Sequence, residues 1–314
     1  MNRLIKYFTI ISFLVLLVFV VSCNDSDANK VTDSPTSGTI HISVDESFRP
    51  VIEEQISAYE ASFPGTKIIA HYKPEAECFN DLYNDSLNRM VIVTRGLTKE
   101  ESKAFDATLN YSPLTDKIAS DAIAVVVNKN SNDTVFTLSE LRNLLSGAKG
   151  KEKKVVFDGL SATSSVRFAI DSILKGKQFD TSVVKAAKNS KEVLEYIATD
   201  EQAIGVVGIS WIGNPEDTAQ VNMLKKVKIA YIQCSVCDEM PYVKPTQASI
   251  ESRRYPLVRG LYYIVKENYS GLGSGFAAFL HYERGQLIFR RAYLAPVMKF
   301  GIRSVKINET LNND

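Results

Sequence analysis

The chain runs to 314 residues, room for one large domain or two of medium size, and its 45 % hydrophobic and 23 % charged content is that of a globular protein with a real core. The formal net charge is +1, and without the two cations of the N-terminal segment, Arg3 and Lys6, it falls to about −1. Neither value suits a general polyanion binder, so no nucleic acid is expected as a partner, and an anion would have to be recognised locally, by a few groups in a cleft.

Arg3 and Lys6 precede an almost unbroken apolar run over residues 7–21, short for a bilayer span and long enough for the core of a signal peptide. The run ends in Val20-Val21-Ser22-Cys23, which resembles a bacterial lipobox: an aliphatic residue, a small one, then the cysteine that receives lipid. An uncleaved anchor helix is the alternative, but the cysteine falls where the hydrophobicity stops. The expectation is therefore a leader over residues 1–22, a lipid on Cys23 that anchors the protein to a membrane outside the cytoplasm, and a polar, disordered tether over residues 23–38. Of the other cysteines, Cys234 and Cys237 form either a local disulfide or two unremarkable thiols. His41, His71 and His281 stand near no cysteine in a finger-like spacing, so no metal is expected.

Residues 39–44 alternate apolar and polar, the period of a strand. Asp45-Glu46-Ser47-Phe48 follows as a tight loop, and Pro50 sits at a helix start, where its missing N–H costs nothing. The stripe Val51, Ile52, Ile56, Tyr59 and Phe63 carries that helix to Pro64-Gly65, and residues 67–72 make a second strand. Residues 90–93 are a short buried strand ending at Thr94-Arg95-Gly96, and a helix over 98–105 opens with a capping pattern, Thr98 to Glu101. Residues 118–127 form a strongly apolar strand. Thr137 to Glu140 caps the next helix, which Gly147 ends, and 154–157 is a strand. A loop over 158–165 leads into a helix over 166–174; 203–209, 226–233 and 260–266 are strands, and 273–288 is one long helix. Alternating strands and helices give an α/β fold with mostly parallel sheets, whose ligands lie at the carboxyl ends of strands.

Among those loops Ser161-Ala162-Thr163-Ser164-Ser165 stands out, because hydroxyls and unpaired N–H groups gather at the positive end of a helix. A plain N-cap would need a single hydroxyl, and the run Thr163, Ser164, Ser165 exceeds it. Ser47 and the Phe48 N–H form a second candidate. Arg95, able to form a two-point pair with an oxyanion or simply solvated, is a third, and Lys73 a fourth. Nothing points to an enzyme: there is no Gly-x-Ser-x-Gly elbow, P-loop or His-Glu-x-x-His helix, no dinucleotide fingerprint, and no cofactor is expected.

Several segments together resemble the substrate-binding proteins of phosphate ABC transporters, the PstS-like branch of the periplasmic binding proteins. They are Ser47-Phe48-Arg49-Pro50, Thr163-Ser164-Ser165, Gln202-Ala203-Ile204-Gly205-Val206, Tyr255-Pro256-Leu257-Val258-Arg259, Glu283-Arg284-Gly285-Gln286 and Tyr293-Leu294-Ala295-Pro296, in the family's order. The resemblance implies a two-lobed type II fold with a hinge crossed twice, lobe 1 over residues 38–116 and 245–314 and lobe 2 over 117–244. It implies inorganic phosphate, or a similar oxyanion, bound between the lobes by Ser47, Phe48, Thr163, Ser164 and Ser165. A monomer that hands its ligand to ABC permease subunits follows from it too. The chain departs from the family in three places. Where many members carry a proton-accepting aspartate after the third strand it has Thr94-Arg95-Gly96, leaving Glu75 or Asp45 to supply the acceptor; Lys73-Pro74-Glu75-Ala76 replaces a Ser-Gly-Gly-like loop; and the arginine before the Ser-rich loop is missing, with Arg95 the candidate substitute. The competing expectations are the same fold holding molybdate, sulfate or an organic acid, and a sensing or adhesion protein with no transport role.

Overall fold

The computed structural model describes residues 33–148, 152–159 and 163–300. The expected leader, the lipidation site Cys23, most of the expected tether, and Ser161 of the Ser-rich loop lie outside the described residues. The last part of the expected tether, from Asp33, belongs to the folded unit instead. Asp33 is buried, accepts from Arg89 and Tyr269, and receives the Leu272 N–H at 2.7 Å, so it caps a distant helix.

The first lobe begins with β1 (Ser37–Asp45), whose apolar positions Ile40, Ile42 and Val44 are fully covered. Parallel neighbours lie on both sides, β2 (Gly65–Lys73) and β3 (Asn88–Val93). The crossover between β1 and β2 is α1 (Arg49–Ser62), which buries Val51, Ile52, Gln55 and Tyr59. After β2 come α2 (Glu75–Asn84), a helix that the sequence pattern did not announce, then β3 and α3 (Lys99–Leu109). In α3 the capping box of Thr98 and Glu101 is formed.

The long strand β4 (Leu114–Asn128) joins the two halves of the molecule. Its first half pairs antiparallel with β12 (Val258–Val265) of the first lobe, and its second half with β8 (Ala203–Gly208) of the second. At roughly 3.3 Å per residue a strand of this length spans about 50 Å, enough to run through both lobes. The second lobe continues through β5 (Val135–Phe136), α4 (Leu138–Leu145), β6 (Lys154–Phe157), α5 (Ser164–Phe168), β7 (Val184–Ala186) and α6 (Ser190–Thr199). Past β8 come α7 (Thr218–Met223), β9 (Val227–Ile229), β10 (Tyr231–Gln233) and β11 (Tyr242–Val243). The chain then returns to the first lobe with α8 (Gln247–Glu251), β12, α9 (Leu272–His281), α10 (Glu283–Arg291) and β13 (Ala295–Pro296), against which α8 packs. The main sheet runs β2-β1-β3-β12-β4-β8-β6-β7, and a small second sheet runs β11-β10-β5. Parallel pairing holds on the two flanks, β2-β1-β3 and β8-β6-β7, while the middle, β3-β12-β4-β8, is antiparallel.

Three further elements differ from the sequence pattern, each for a local reason. The apolar stretch over 226–233 is two strands because the chain changes partner at Ala230. Its N–H bonds to Val125 O of β4 and the next, Tyr231 N–H, to Thr134 O beside β5, both at 2.8 Å. The long helix over 273–288 breaks at Tyr282 (φ −82°, ψ 168°), and α10 folds back so closely that a Cβ on Gly285 would sit 2.3 Å from Phe279 O. Gln286, wholly buried, holds this return by donating to Ile118 O and Leu280 O and accepting from the Val297 and Met298 N–H groups. The helix over 166–174 is α5 followed by a wider turn over Ala169–Ile173, in which Leu174 N–H reaches back five residues to Ala169 O. Cys234 and Cys237 are disulfide-bonded, next to the small sheet.

Candidate functional site

The carboxyl end of β1 meets β4, β6, β8 and β12 at the seam between the lobes, and a buried polar cluster forms there. Asp45 ends β1 and turns its carboxylate back to accept the Ser47 N–H at 2.9 Å, tightening the turn over Glu46–Phe48 that feeds α1. Ser47 is then aimed across the seam: its hydroxyl lies 3.2 Å from that of Ser164, the first residue of α5, and both residues are fully buried. On the other side, Ser210 donates its hydroxyl to Ser47 O at 2.9 Å. Two hydroxyls from opposite lobes are thus held face to face.

A single guanidinium lies beneath them. Arg259 on β12 stands directly across from Asp121 on β4, so their ion pair follows from strand register: Nε to Oδ2 is 2.7 Å, with both side chains almost completely buried. Nη1 donates to Ser164 Oγ at 2.7 Å, and the guanidinium lies 4.9 Å from the centre of the Phe48 ring. Gly208, ending β8, permits this approach, since a Cβ there would be 3.3 Å from Arg259 Nη2 and from Ser47 O. At the tip of β6, Asp158 takes hydrogen bonds from Ser165 (3.4 Å) and from Ser190 at the start of α6 (3.3 Å). Ser190 also donates to Glu46 from the opposite lobe at 3.0 Å. Thr163 caps α5 by accepting the Val166 N–H.

The electrostatics are unusual for so small a space. Burial pushes the Asp45 carboxyl up to about 6, against the opposing pull of Arg259, and pushes Glu46 up to about 7, with Asp158 adding to the rise. Burial also raises Asp121 and Asp158, although Arg259 works against it in both. Deep desolvation combined with specific charge partners makes this cluster a candidate functional site.

A second cross-lobe contact flanks the cluster. Arg167 of α5 reaches Glu75 of α2 (Nε to Oε2 2.7 Å) and Thr94 Oγ1 (2.6 Å), and Thr94 gives both its N–H and its hydroxyl to Glu75. Burial would raise the Glu75 carboxyl, but the bonds from Arg167 and Thr94 hold it below the usual range. Beside this pair opens a groove of about 600 Å³, lined by Phe79, Tyr83 and Arg95 from the first lobe and Val166 and Ile170 from the second.

Of the residues singled out from sequence, Ser47, Phe48, Thr163, Ser164 and Ser165 come together at the seam. Arg95 does not. Its guanidinium makes a two-point pair with Glu101 (2.7 and 2.9 Å) and stacks 3.8 Å over the Phe79 ring, and that pairing holds Glu101 down to about 2. The cluster's positive charge is Arg259, a residue inside one of the segments quoted above and not chosen from them. Lys73 likewise pairs locally, with Asp81. Asp45 and Glu75, the two candidates for a proton acceptor, part company: Glu75 has both oxygens engaged, whereas Asp45 Oδ2 has no partner among the described residues. Asp121, Asp158, Ser190 and Ser210 were not anticipated. A signal existed for two of the site's residues, since Asp121 and Arg259 are charges inside otherwise apolar strands, and such a position demands a partner.

The chain belongs to the PBP superfamily, whose domain model matches residues 29–283. Its fold is the two-lobed one of the type II periplasmic binding proteins. Among solved structures it is similar to a Clostridium perfringens protein assigned as a phosphate ABC transporter substrate-binding protein and containing bound phosphate. The TM-score is 0.65 at 19 % identity, over 83 % of this chain and 100 % of that one. It is also similar to an ABC-type phosphate transport receptor from Vibrio cholerae (0.59, 16 %, 82 % and 99 %) and to PstS from Borrelia burgdorferi (0.52, 19 %, 84 % and 100 %). No curated protein gives a significant sequence match.

Proposed function

We propose that this chain is a lipid-anchored, extracytoplasmic solute-binding protein that captures inorganic phosphate between its lobes and delivers it to an ABC importer. The observation that carries the reading is the seam itself: hydroxyls from opposite lobes, Ser47 and Ser164, 3.2 Å apart, and the Arg259 guanidinium 2.7 Å from one of them. A desolvated oxyanion requires several directed donors and a positive charge in a dry space, and these residues offer both. Ser47, the Phe48 N–H, Thr163, Ser164 and Ser165 are the proposed donors, and Arg259 takes the place that Arg95 was expected to fill.

The lobes are assigned as residues 38–116 with 245–314, and 117–244; the chain passes between them at β4 and again ahead of β12. The resemblance to phosphate receptors, the lipobox at Cys23 and the seam support one another, each from a different part of the chain. Titration calorimetry with phosphate, arsenate, sulfate and molybdate tests the reading, with Thr163, Ser164 and Ser165 changed together to Ala as the control. Phosphate binding that disappears in the triple variant is the expected result. Binding of molybdate or sulfate in preference to phosphate changes the cargo, and a folded protein that binds none of the four leaves a sensing or adhesion role in its place.

A further inference from the structure

The seam holds more negative charge than a simple anion trap can tolerate. Asp45, Glu46, Asp121 and Asp158 meet there, and the guanidinium that faces them, Arg259, is already engaged by Asp121. Each of the four carboxyls has an oxygen with no hydrogen-bond partner among the described residues: Asp45 Oδ2, Glu46 Oε1, Asp121 Oδ1 and Asp158 Oδ1. Arg259 Nη2 is a buried donor in the same condition. Like charges brought together in a dry interior repel far more strongly than in water, because little solvent screens them. An oxyanion entering beside ionised Asp45, Glu46 and Asp158 would meet that repulsion several times over. Arg259 Nη2 supplies a buried donor without a partner, which favours an anion over a cation. The contradiction disappears if the acids arrive neutral, because a protonated carboxyl is itself an O–H donor.

We infer that oxyanion capture at this seam is proton-coupled: the group formed by Asp45, Glu46 and Asp158 takes up one proton from solvent as the anion enters, and the O–H it forms then donates to an oxygen of the anion. This rests on the phosphate reading. Stoichiometry is simple. One proton leaves the buffer, no covalent bond changes except the new O–H, and the anion keeps its own protons. The surroundings favour it. Asp45 is faced by Arg259 from β12, Glu75 and Cys78 from α2 and Ser164 from α5; Glu46 by Asp45, Asp158 and Ser190; Asp158 by Arg259, Glu46, Thr163 and Ser190. Burial already sets Asp45 and Glu46 within reach of neutral pH, and an added anion moves them further in the same direction.

The test is phosphate calorimetry on the full folded chain at about pH 8, where free phosphate is mostly the dianion, in two buffers of different ionisation enthalpy. It is repeated across pH and with Asp45→Asn and Glu46→Gln. The difference in apparent enthalpy between buffers counts the protons taken up. The parent is expected to take up about one proton and to lose affinity about tenfold per pH unit above neutrality, as one coupled proton requires. The two amide variants, which donate without titrating, are expected to show less uptake and a flatter profile, and to bind better than the parent at the alkaline end. Parent binding with no buffer dependence overturns the inference and leaves the phosphate reading standing. So do variants that keep the full uptake, because the proton then rides on the ligand, or an Asp45→Asn that loses affinity at every pH, because Asp45 then acts as an ionised acceptor. No phosphate binding by the parent overturns both. Should either variant fail to fold, the other, or Asp158→Asn, is read in its place, because the parent's buffer dependence does not separate a proton on the carboxyls from one on the ligand.

Discussion

Replacing Arg259 by Met isolates the charge on which the site depends. The side chain is 5 % exposed and its partner Asp121 is 0 % exposed, so the pair is wholly inside the protein. Met fills similar space and leaves the Asp121 carboxyl without its 2.7 Å partner, which for a buried ion pair costs about 3–5 kcal/mol of stability. Part of that loss is recovered when Asp121 takes a proton, and burial already drives it that way. The double variant Asp121→Asn, Arg259→Met removes the stranded charge and should recover most of the parent stability in urea. Binding should not recover. A hydrogen bond to a charged group contributes about 1.5–3 kcal/mol, so phosphate affinity should fall by about 10- to 150-fold in the double variant as in the single one. Urea denaturation and titration calorimetry on the same samples separate the two effects. A folded double variant that binds phosphate as tightly as the parent refutes the assignment of Arg259 to the anion.

Three other outcomes follow from the same geometry. Glu75→Gln weakens the cross-lobe contact with Arg167, which is 40 % exposed at its side chain, so stability should drop by only about 1 kcal/mol. The ligand-free protein should instead show a larger radius of gyration in small-angle scattering, and an unchanged radius would mean that this pair does not hold the lobes together. Gly208→Ala places a Cβ 3.3 Å from both Arg259 Nη2 and Ser47 O, which should weaken phosphate binding by about tenfold through a crowding cost of about 1–2 kcal/mol. Calorimetry on Gly208→Ala checks this. The ligand-free protein should also lose stability as pH rises. Asp45 and Glu46 titrate near 6 and 7 when folded, above their ordinary values of 3.8 and 4.5, so the folded state binds more protons throughout that interval. Their contribution is full below about pH 4 and gone above about pH 7.5, and the shifts bound it at about 3 kcal/mol each. Urea midpoints measured from pH 5 to 8 should fall; for Asp45→Asn the fall should be shallower.

What could be read from the sequence, and what could not, divides by the range of the interactions. Capping boxes at Thr98 and Thr137, the Pro50 helix start and the apolar strands are set by neighbours a few residues away, and the chain displays them openly. Ser47 and Thr163-Ser164-Ser165 were legible for the same reason: donors at the mouth of a helix have a local signature. Arg259 has none. Its role comes from lying opposite Asp121 in an antiparallel register between strands 138 positions apart, and only assembly of the sheet reveals that pairing. Arg95 attracted attention because an arginine ending a buried strand looks available. Glu101, placed by the α3 capping box within reach of it, consumes the charge and Phe79 covers its face. The breaks at Ala230 and Tyr282 were hidden in the same way, since the first follows from a change of strand partner and the second is held by Gln286 bonding to distant backbone. The cluster also shows why its acids escaped notice singly. An aspartate closing a β1 turn or ending β6 is an ordinary loop residue, and it becomes chemically distinctive only when folding brings three more carboxyls and one guanidinium into the same dry space. Any function of this seam, with phosphate or another cargo, has to begin from that crowding of charge.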